Sequence, residues 1–394
     1  MLWMAIGWLV VSVGAGVQPE AARDDGWDAA FTRTSGWNGG DIGHSIDLGD
    51  GRTLWLFGDS IVGPVQEGRR VGGKAVMVRG AIGWHIAPID AGPAREVEFA
   101  LPEGGHGVAE AAWTRPAEGL FAKTTWYWLM GDGAVVKDEA GQTRFVFFAT
   151  AIDRAGNPEG MWDFRRVGGA VITVENPGDE PDAWRAVQKV NPLVTETARH
   201  GEAPKTSENW GLAIVRWTSE DESERLYIYG LRSEAPGDNT LLVARCAEQD
   251  LDEPEAWTFF DGTTWVGDPG AAAGIALNLV DEFTIQAVHR NGRDDLVLVQ
   301  SEPILGHHIL VRTAMRPEGP WSEPAKVYEV TEPADDERLI TYAAKGHAHL
   351  SRPGSLLITY VINSADFGQI FRDASLYRPR FVRVGHEALP AAPE

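Results

Sequence analysis

From Gly36 onward, short runs of alternating apolar and polar residues are separated by Gly, Pro, Asp and Asn. This period of two is typical of β-strands, whose successive side chains point to opposite faces of a sheet. The clearest runs are TLWLFGDS (53–60), TTWYWLM (124–130), RFVFFATAI (144–152), RLYIYGLR (225–232), DLVLVQS (295–301) and SLLITYVIN (355–363). Helical patterns are short, as in EQDLDEPEAW (248–257), so the chain is predicted to be all-β.

The predicted strands fall into five groups, each with a small or acidic first strand and an aromatic, β-branched second strand. The groups span residues 36–100, 106–190, 205–268, 278–330 and 340–385. Their second strands are similar to one another: LWLFGD, FVFFAT, LYIYGL, LVLVQS and LLITYV. This spacing suits four-stranded blades and predicts a five-bladed β-propeller. A β-sandwich with insertions is the alternative fold.

The beginning of the chain has the pattern of an export signal. Residues 2–17 are apolar and small residues follow them, although no Lys or Arg precedes the apolar run. We therefore expect residues 1–23 to be a signal peptide or N-terminal anchor and residues 24–390 to form a single propeller domain. The expected location is secreted or periplasmic, without stable membrane association after signal cleavage.

Composition narrows the partners. The chain of 394 residues has 57 Asp and Glu against 35 Lys and Arg, a formal net charge of −22, which argues against a nucleic-acid partner. Its single cysteine, Cys246, excludes an intrachain disulfide and a cysteine zinc site. The 45 Gly and 23 Pro residues fit a fold with many turns.

Acidic residues recur where the first strand of a group begins. Asp41 lies in GWNGGDIGHS, Glu208 precedes Trp210, and Glu282 follows Asp281 in DEFTIQ, while Asp59 ends LWLFGDS. The first strands of propeller blades converge on one axis, so such acids can face each other. Glycoside cleavage needs one protonated and one ionised carboxyl. Most of the chain's acids, by contrast, are expected to be turn caps or solvated surface charges.

Histidine, lysine and tryptophan residues near these acids are candidates for substrate binding. Lys345, His347 and His349 alternate along AAKGHAHL and are expected on one side of a strand, where a hydrogen-bonded structural role is the alternative. No third metal ligand accompanies the histidines, so no metal site is predicted. No motif indicates a redox or nucleotide cofactor, a serine hydrolase or a zincin.

Two of the 16 tryptophans stand beside glycine at the start of a group, namely Trp37 and Trp210. They are candidates for stacking on a sugar ring, whereas strand tryptophans are expected to pack between blades. The residues expected to pack are Trp55, Trp84, Trp126, Trp184 and Trp265.

Several motifs, matched in order over about residues 30–385, resemble a known family. They are GGDIGHSIDLGDGRTLWLFGDS (39–60), NWGLAIVRW (209–217), LYIYGLR (226–232), LLVARCAEQDLDEPEAWTFFDGTTW (241–265), DEFTIQAV (281–288), TYAAKGHAHLSRPGSLLITYVINS (341–364) and YRPRFVRV (377–384). The chain is similar to exported five-bladed propellers catalogued as a domain of unknown function. That family resembles glycoside hydrolases of the arabinanase and xylosidase type, and the resemblance implies members that act on arabinofuranose polymers.

The resemblance also implies roles for particular residues. It points to Asp41, on the inner strand of the first blade, and to Glu282 in the fourth as the catalytic acid pair. Asp59 matches the family position just after the second strand, and His347 matches the channel histidine of the fifth blade. This chain has Ala348 where relatives often have Pro.

These patterns support one main functional hypothesis and two alternatives. The main one is an exported glycoside hydrolase whose catalytic residues are Asp41, Glu282 and Asp59. Its predicted substrate-binding residues are Trp37, His44, Glu208, Trp210, Lys345 and His347. A polysaccharide or oligosaccharide is the expected partner. The alternatives are a non-catalytic glycan-binding propeller and a scaffold propeller with an exposed apolar patch.

Overall fold

The structure is a computed structural model. It describes residues 21–86, 92–93, 96–100, 115–157, 163–203, 205–218, 223–235 and 237–394. The apolar segment 2–17, on which the export prediction rests, lies outside these residues. Among the described residues, no helix combines the length and apolar character needed to cross a lipid bilayer.

The described strands form five antiparallel sheets of four or more strands, which we number in chain order of their first strands. Sheet 1 contains His44–Asp47, Arg52–Phe57, Ala81–Ile86 and Glu98–Phe99. Sheet 2 contains Gly133–Lys137, Thr143–Asp153, Arg165–Val174 and Ala186–Val190, with Trp126–Trp128 also paired to its second strand. Sheet 3 contains Ser207–Thr218, Glu224–Ala235, Asp238–Cys246, Thr258–Phe260 and Trp265–Val266, with Ala276–Leu277 paired to its third strand.

Sheet 4 contains Phe283–Arg290, Arg293–Ser301, His308–Ala314 and Ala325–Glu329. Sheet 5 contains Leu339–Gly346, Ser355–Ser364, Pro379–Gly385 and, as its outer strand, Ala21–Arg23 from the other end of the chain. Smaller sheets pair Trp37–Gly40, Ser60–Val62 and Val76–Val78, and Val65–Gln66 with Arg69–Arg70. The α-helices are Asp25–Ala30 and Gln369–Arg372. Single 3₁₀ turns span Pro181–Ala183, Glu248–Asp250, Pro254–Ala256, Pro269–Ala271, Glu332–Ala334, Ala348–Leu350 and His386–Ala388.

Consecutive sheets share hydrophobic clusters because the second strand of each sheet is buried on both faces. In sheet 2, Phe147 packs toward sheet 1 while its neighbour Phe148 packs toward sheet 3. Leu357 and Ile358 likewise divide their contacts between sheets 1 and 4. Strands with two buried faces have nearly continuous apolar runs. This explains why the second strands were the strongest repeated signal in the sequence.

Hydrogen bonds also connect the first strands of neighbouring sheets. The Asp132 carboxylate, just before sheet 2, accepts from His44 Nε2 (2.8 Å) in sheet 1 and from Ile214 N (2.8 Å) in sheet 3. Gly346 N in sheet 5 donates to Thr284 Oγ1 (2.8 Å) in sheet 4. The first strands of sheets 3 and 4 are also in contact. The order of the sheets in space therefore follows their order in the chain.

The prediction of an all-β chain is confirmed, and each predicted group supplies one sheet of four or more strands. The described strands thus form five large sheets rather than the two of a sandwich. The segment 248–257 forms two 3₁₀ turns, Glu248–Asp250 and Pro254–Ala256, because Pro254 interrupts it. Neither the helix Asp25–Ala30 nor the strand Ala21–Arg23 was predicted.

Candidate active site

Asp41 lies in a tight turn between the strand Trp37–Gly40 and the first strand of sheet 1. The turn depends on left-handed backbone conformations at Ile42 (φ 68°) and Gly43 (φ 59°). Gly58 packs directly against it, and a Cβ atom at Gly58 would collide with Asp41 Oδ1. The prediction that Asp41 is on the inner strand of the first blade is therefore corrected: it precedes that strand, and the turn sets its direction.

Two tyrosine hydroxyls hold the Asp41 carboxyl group. Tyr342 Oη (2.9 Å) and Tyr377 Oη (3.1 Å) both donate to Asp41 Oδ2. Asn363 Nδ2 in turn donates to Tyr342 Oη (3.0 Å). These side chains come from sheet 5 and the segment before its third strand, so they attach the sheet 1 turn to sheet 5. The other oxygen, Oδ1, has no hydrogen bond to a described residue and is the one available to a ligand.

Glu282 immediately precedes the first strand of sheet 4. Its Oε2 atom is buried and has no hydrogen-bond partner among the described residues. A buried carboxylate oxygen without a partner is costly and usually marks a functional position. Asp59 follows the second strand of sheet 1, as predicted, and forms an ion pair with Arg79 Nη1 (3.2 Å).

The charges of these acids act on one another. Burial raises the pKa of Asp41 well above its ordinary value of 3.8, and the negative charges of Glu282 and Asp59 raise it further. The two tyrosine hydrogen bonds oppose these effects because they favour the ionised carboxylate. The structure therefore brings the three predicted catalytic acids into one electrostatic cluster.

The pKa of Glu282 is also raised, first by burial. The neighbouring negative charge of Asp281 adds to this effect, whereas the positive charge of Lys345 lowers the pKa of Glu282. Two carboxyl groups whose surroundings differ in this way suit acid and base roles at the same pH.

Lys345 is fully buried beneath the acids, and its Nζ donates to Phe283 O (3.3 Å). Residues 342 and 345 would point to opposite faces of a regular strand. A bulge between them, with Ala343 at φ 57°, shifts the register so that both Tyr342 and Lys345 approach the acids. Burial lowers the pKa of Lys345, and Glu282, Asp132, Asp281 and Asp41 raise it.

The predicted substrate-binding histidines are structural. His44 is buried, and its Nε2 bonds to Asp132 Oδ1 (2.8 Å). His347 is also fully buried, with Nδ1 bonded to Ser45 Oγ (2.6 Å) and Nε2 to Thr359 Oγ1 (2.8 Å). The strand of sheet 5 ends at Gly346, so His347 and His349 do not continue along one side of it. These histidines connect neighbouring strands and sheets instead of facing a ligand.

The structure also corrects the prediction that two tryptophans stack on sugar. Trp37 is fully buried between Phe57 and Phe99, with ring centroids 4.7 and 4.5 Å away. Trp210 is 1% exposed and packs on Phe259. Neither ring has a free face for a ligand. Glu208, predicted to bind substrate, accepts from Trp210 Nε1 (2.9 Å) and Arg232 Nε (2.8 Å) and braces sheet 3.

Sequence reasoning missed three residues that organise the site: Tyr342, Tyr377 and Asp132. The tyrosines were present in TYAAKG and YRPR, but only the fold shows that they meet Asp41. Asp132 did carry a usable signal, because it lies in GDG just before a first strand, as Asp41 lies in GGDIG. In the described part of the chain, no group of three His, Cys, Asp or Glu side chains is arranged to hold a metal ion.

The sheet order and the acids at the starts of the first strands define an all-β protein with a carboxylate-rich site. The chain belongs to the family described as a domain of unknown function, DUF5005, which matches residues 24–386. No curated protein matches the sequence.

Three solved structures illustrate the likeness in fold. A "putative hydrolase" from Bacteroides ovatus has 20% identity and a TM-score of 0.63, covering 92% of this chain and 89% of its own. A GH43_1 enzyme from Xanthomonas citri has 15% identity and a TM-score of 0.43, covering 93% and 96%. An exo-β-1,3-galactanase from Phanerochaete chrysosporium has 9% identity and a TM-score of 0.41, covering 92% and 66%. The first of these shares the overall fold with this chain.

Proposed function

We propose that this protein is a glycoside hydrolase that cleaves a polysaccharide with Asp41 and Glu282 as its acid/base pair. The observation that carries the proposal is the coupling of these two carboxyls: each has a raised pKa, and Glu282 contributes to the shift of Asp41. Such pairing keeps one carboxyl protonated while the other is ionised, which glycoside cleavage requires.

The proposed scaffold is a five-bladed β-propeller in which each large sheet is one blade. Its support is the shared hydrophobic cluster between each sheet and the next, together with the His347–Ser45 hydrogen bond between the end of the sheet 5 strand and sheet 1. Asp41, Glu282 and the start of the sheet 3 strand, Ser207, then lie at the same end of the first strands. This end forms the mouth of the proposed channel.

In the proposed mechanism, Asp41 is the general acid and Glu282 is the base or nucleophile. Burial and two negative neighbours favour the protonated form of Asp41, and its Oδ2 already accepts two hydroxyls, so the proton belongs on Oδ1. Lys345 favours the ionised form of Glu282. Asp59 acts through its charge, which helps to keep Asp41 protonated.

The proposed substrate is an extracellular glycan, with arabinofuranose-containing polymers among the candidates. The apolar segment 2–17 supports export to the periplasm or medium.

The experiment is a screen of the purified protein against arabinans and other plant, algal and bacterial polysaccharides, with released reducing ends as the measurement. Asp41→Asn and Glu282→Gln are each expected to reduce hydrolysis at least about a hundredfold, the usual cost of losing an acid or base. Asp182→Asn and Glu255→Gln, at exposed positions elsewhere, are the matched controls and should retain full activity. Full activity in both site variants would refute the assignment.

An aryl glycoside of the responsive sugar separates the two roles. Its good leaving group needs little protonation, so Asp41→Asn should recover most activity on it while Glu282→Gln should not. The opposite pattern would exchange the roles. Binding of a glycan without turnover by the native protein would instead favour the non-catalytic alternative.

A further inference from the structure

A cavity of about 460 Å³ opens beside the proposed acid pair, at the same end of the first strands. It is lined by Arg166 from sheet 2, Ser207 and Asn239 from sheet 3, and Asp281, which directly precedes Glu282. Its volume lies in the range of about 300–1,000 Å³ that is typical of small-molecule sites. The cavity is thus placed to receive the sugar next to the bond that would be cleaved.

Arg166 is a nearly buried cation, 8% exposed, held rigidly at the wall of this cavity. Its Nε donates to Thr195 O (2.9 Å) and its Nη2 donates to Ser207 Oγ (2.8 Å). Nη1 has no hydrogen bond to a described residue and is not sealed off by protein. The fixed guanidinium therefore has a free donor that is available in the cavity.

No carboxylate among the described residues lies within ion-pair distance of Arg166. Asp281 is the acid whose charge reaches it, and burial of the guanidinium lowers its pKa against that influence. Isolating a charge from water is costly unless a counter-charge is bound. The Arg166 site is therefore suited to an anionic group that enters with a ligand.

The charged side chains lining the cavity are Arg166, Arg199, Lys205, Asp281 and Glu202. Three are cationic, in a chain whose net charge is −22. Glu202 accepts from the backbone N of Arg199 (2.9 Å), so this acid is occupied within its own loop. The cavity is thus a local cationic site on an acidic protein, which favours an anionic ligand.

We propose that this cavity binds an acidic sugar unit of the substrate, with Arg166 recognising its carboxylate or sulfate group and Asp281 accepting a sugar hydroxyl. The inference rests on the proposed hydrolase function and specifies its substrate class as an acidic polysaccharide. Arginine suits this role because its planar guanidinium forms charge-assisted hydrogen bonds to such anions.

The test is calorimetric binding of oligogalacturonate, oligoglucuronate and a sulfated galactan oligosaccharide, each beside its neutral carboxyl-reduced or desulfated counterpart. The Glu282→Gln protein is used so that binding is measured without turnover. At least one acidic ligand should bind at least about tenfold more tightly than its neutral counterpart, as expected for a charge-assisted bond. A uronate preference identifies a carboxylate as the recognised group, and a sulfate preference identifies a sulfate ester.

Adding Arg166→Gln should remove this preference, whereas Arg185→Gln, at an exposed position outside the cavity, should preserve it. If Arg166→Gln does not fold, the more conservative Arg166→Lys should retain part of the preference, and added salt should weaken the preference of the parent protein. Equal binding of every acidic and neutral pair overturns the proposal, as does an unchanged preference in a folded Arg166→Gln protein. Acidic binding without hydrolysis by the native protein would refute the enzyme and leave this site intact.

Discussion

Residues of the same type have different roles in this protein because their surroundings differ. Asp41 and Glu282 are crowded by other acids and have raised pKa values. Asp50, by contrast, forms an ion pair with Arg52 (2.6 Å), whose hydrogen bonds lower the pKa of Asp50. Composition cannot separate such acids, since each is one of 57 Asp and Glu residues. The neighbours of a carboxyl group decide whether it can exchange a proton near neutral pH.

Lys345→Met tests the electrostatic control of the proposed acid pair. Lys345 lowers the pKa of Glu282, so removing its charge raises that pKa. A group that must be ionised then needs a higher pH, and a group that must be protonated stays protonated to a higher pH. The kcat/KM profile is therefore expected to shift to higher pH in the limb that Glu282 controls, whichever role Glu282 has.

Lys326→Met is the matched control, because Lys326 is exposed and pairs with Glu302 (3.1 Å) away from the site. Its pH profile should coincide with that of the native protein. A shift to lower pH in Lys345→Met would contradict the assigned influence of Lys345 on Glu282.

Short irregular segments, rather than the strands themselves, position the site. Asp41 is held in a turn, Glu282 precedes a strand, and the bulge at Ala343 turns Tyr342 and Lys345 toward the acids. The strands supply a rigid frame, and small backbone departures from it direct the functional side chains. Alternation of apolar residues predicts the strands well and contains no information about these departures.

Gly58→Ala tests how closely the Asp41 turn must pack. The new methyl group would meet Asp41 Oδ1 and the Ile42 side chain, so the carboxyl must move away from its tyrosine partners. We expect kcat/KM on the responsive glycan to fall at least about tenfold, since small displacements of a reacting group are costly.

Gly80→Ala is the control, because a Cβ atom there meets only ordinary contacts with Leu129 at 3.6 Å or more. It should remain close to native activity. An equal loss in both variants would indicate a general effect of glycine replacement rather than a displaced Asp41.

At the scale of the whole molecule, the N-terminal segment joins the two ends of the sheet series. Ala21–Arg23 pairs with Pro379–Gly385 in sheet 5, and Asp28 Oδ1 accepts from Phe381 N (2.8 Å). The helix Asp25–Ala30 inserts Trp27 between sheets 1 and 5, where it packs on Trp55 and Phe381. The first residues of the described chain therefore stabilise its last sheet.

Trp27→Ala is expected to destabilise the protein by about 3–5 kcal/mol, the usual cost of removing a buried tryptophan. Trp27 is fully buried, and its loss would leave a cavity between sheets 1 and 5. Urea unfolding measures the change. Phe367→Ala, at an aromatic residue that is 54% exposed, should change stability by less than about 1 kcal/mol. Similar stability of the two variants would show that the N-terminal helix does not hold these sheets together.

Much of the fold could be predicted from the sequence because it depends on local periodicity. A strand with a period of two is recognisable within a few residues, and second strands with two buried faces repeat as apolar runs. The acids Asp41, Asp59 and Glu282 stood out because each adjoins such a run. Their position beside strands was thus available from the sequence, whereas their separations and partners were not.

Only the tertiary structure decided which side chains meet. Asp41 and its partners Tyr342 and Tyr377 are 301 and 336 residues apart, and no local pattern records such contacts. The same limit explains the errors at Trp37 and Trp210. Glycine neighbours suggested open rings, but packing from distant segments covers both. Strand pattern is a property of adjacent residues, while burial, charge coupling and a ligand site arise from segments that the fold brings together.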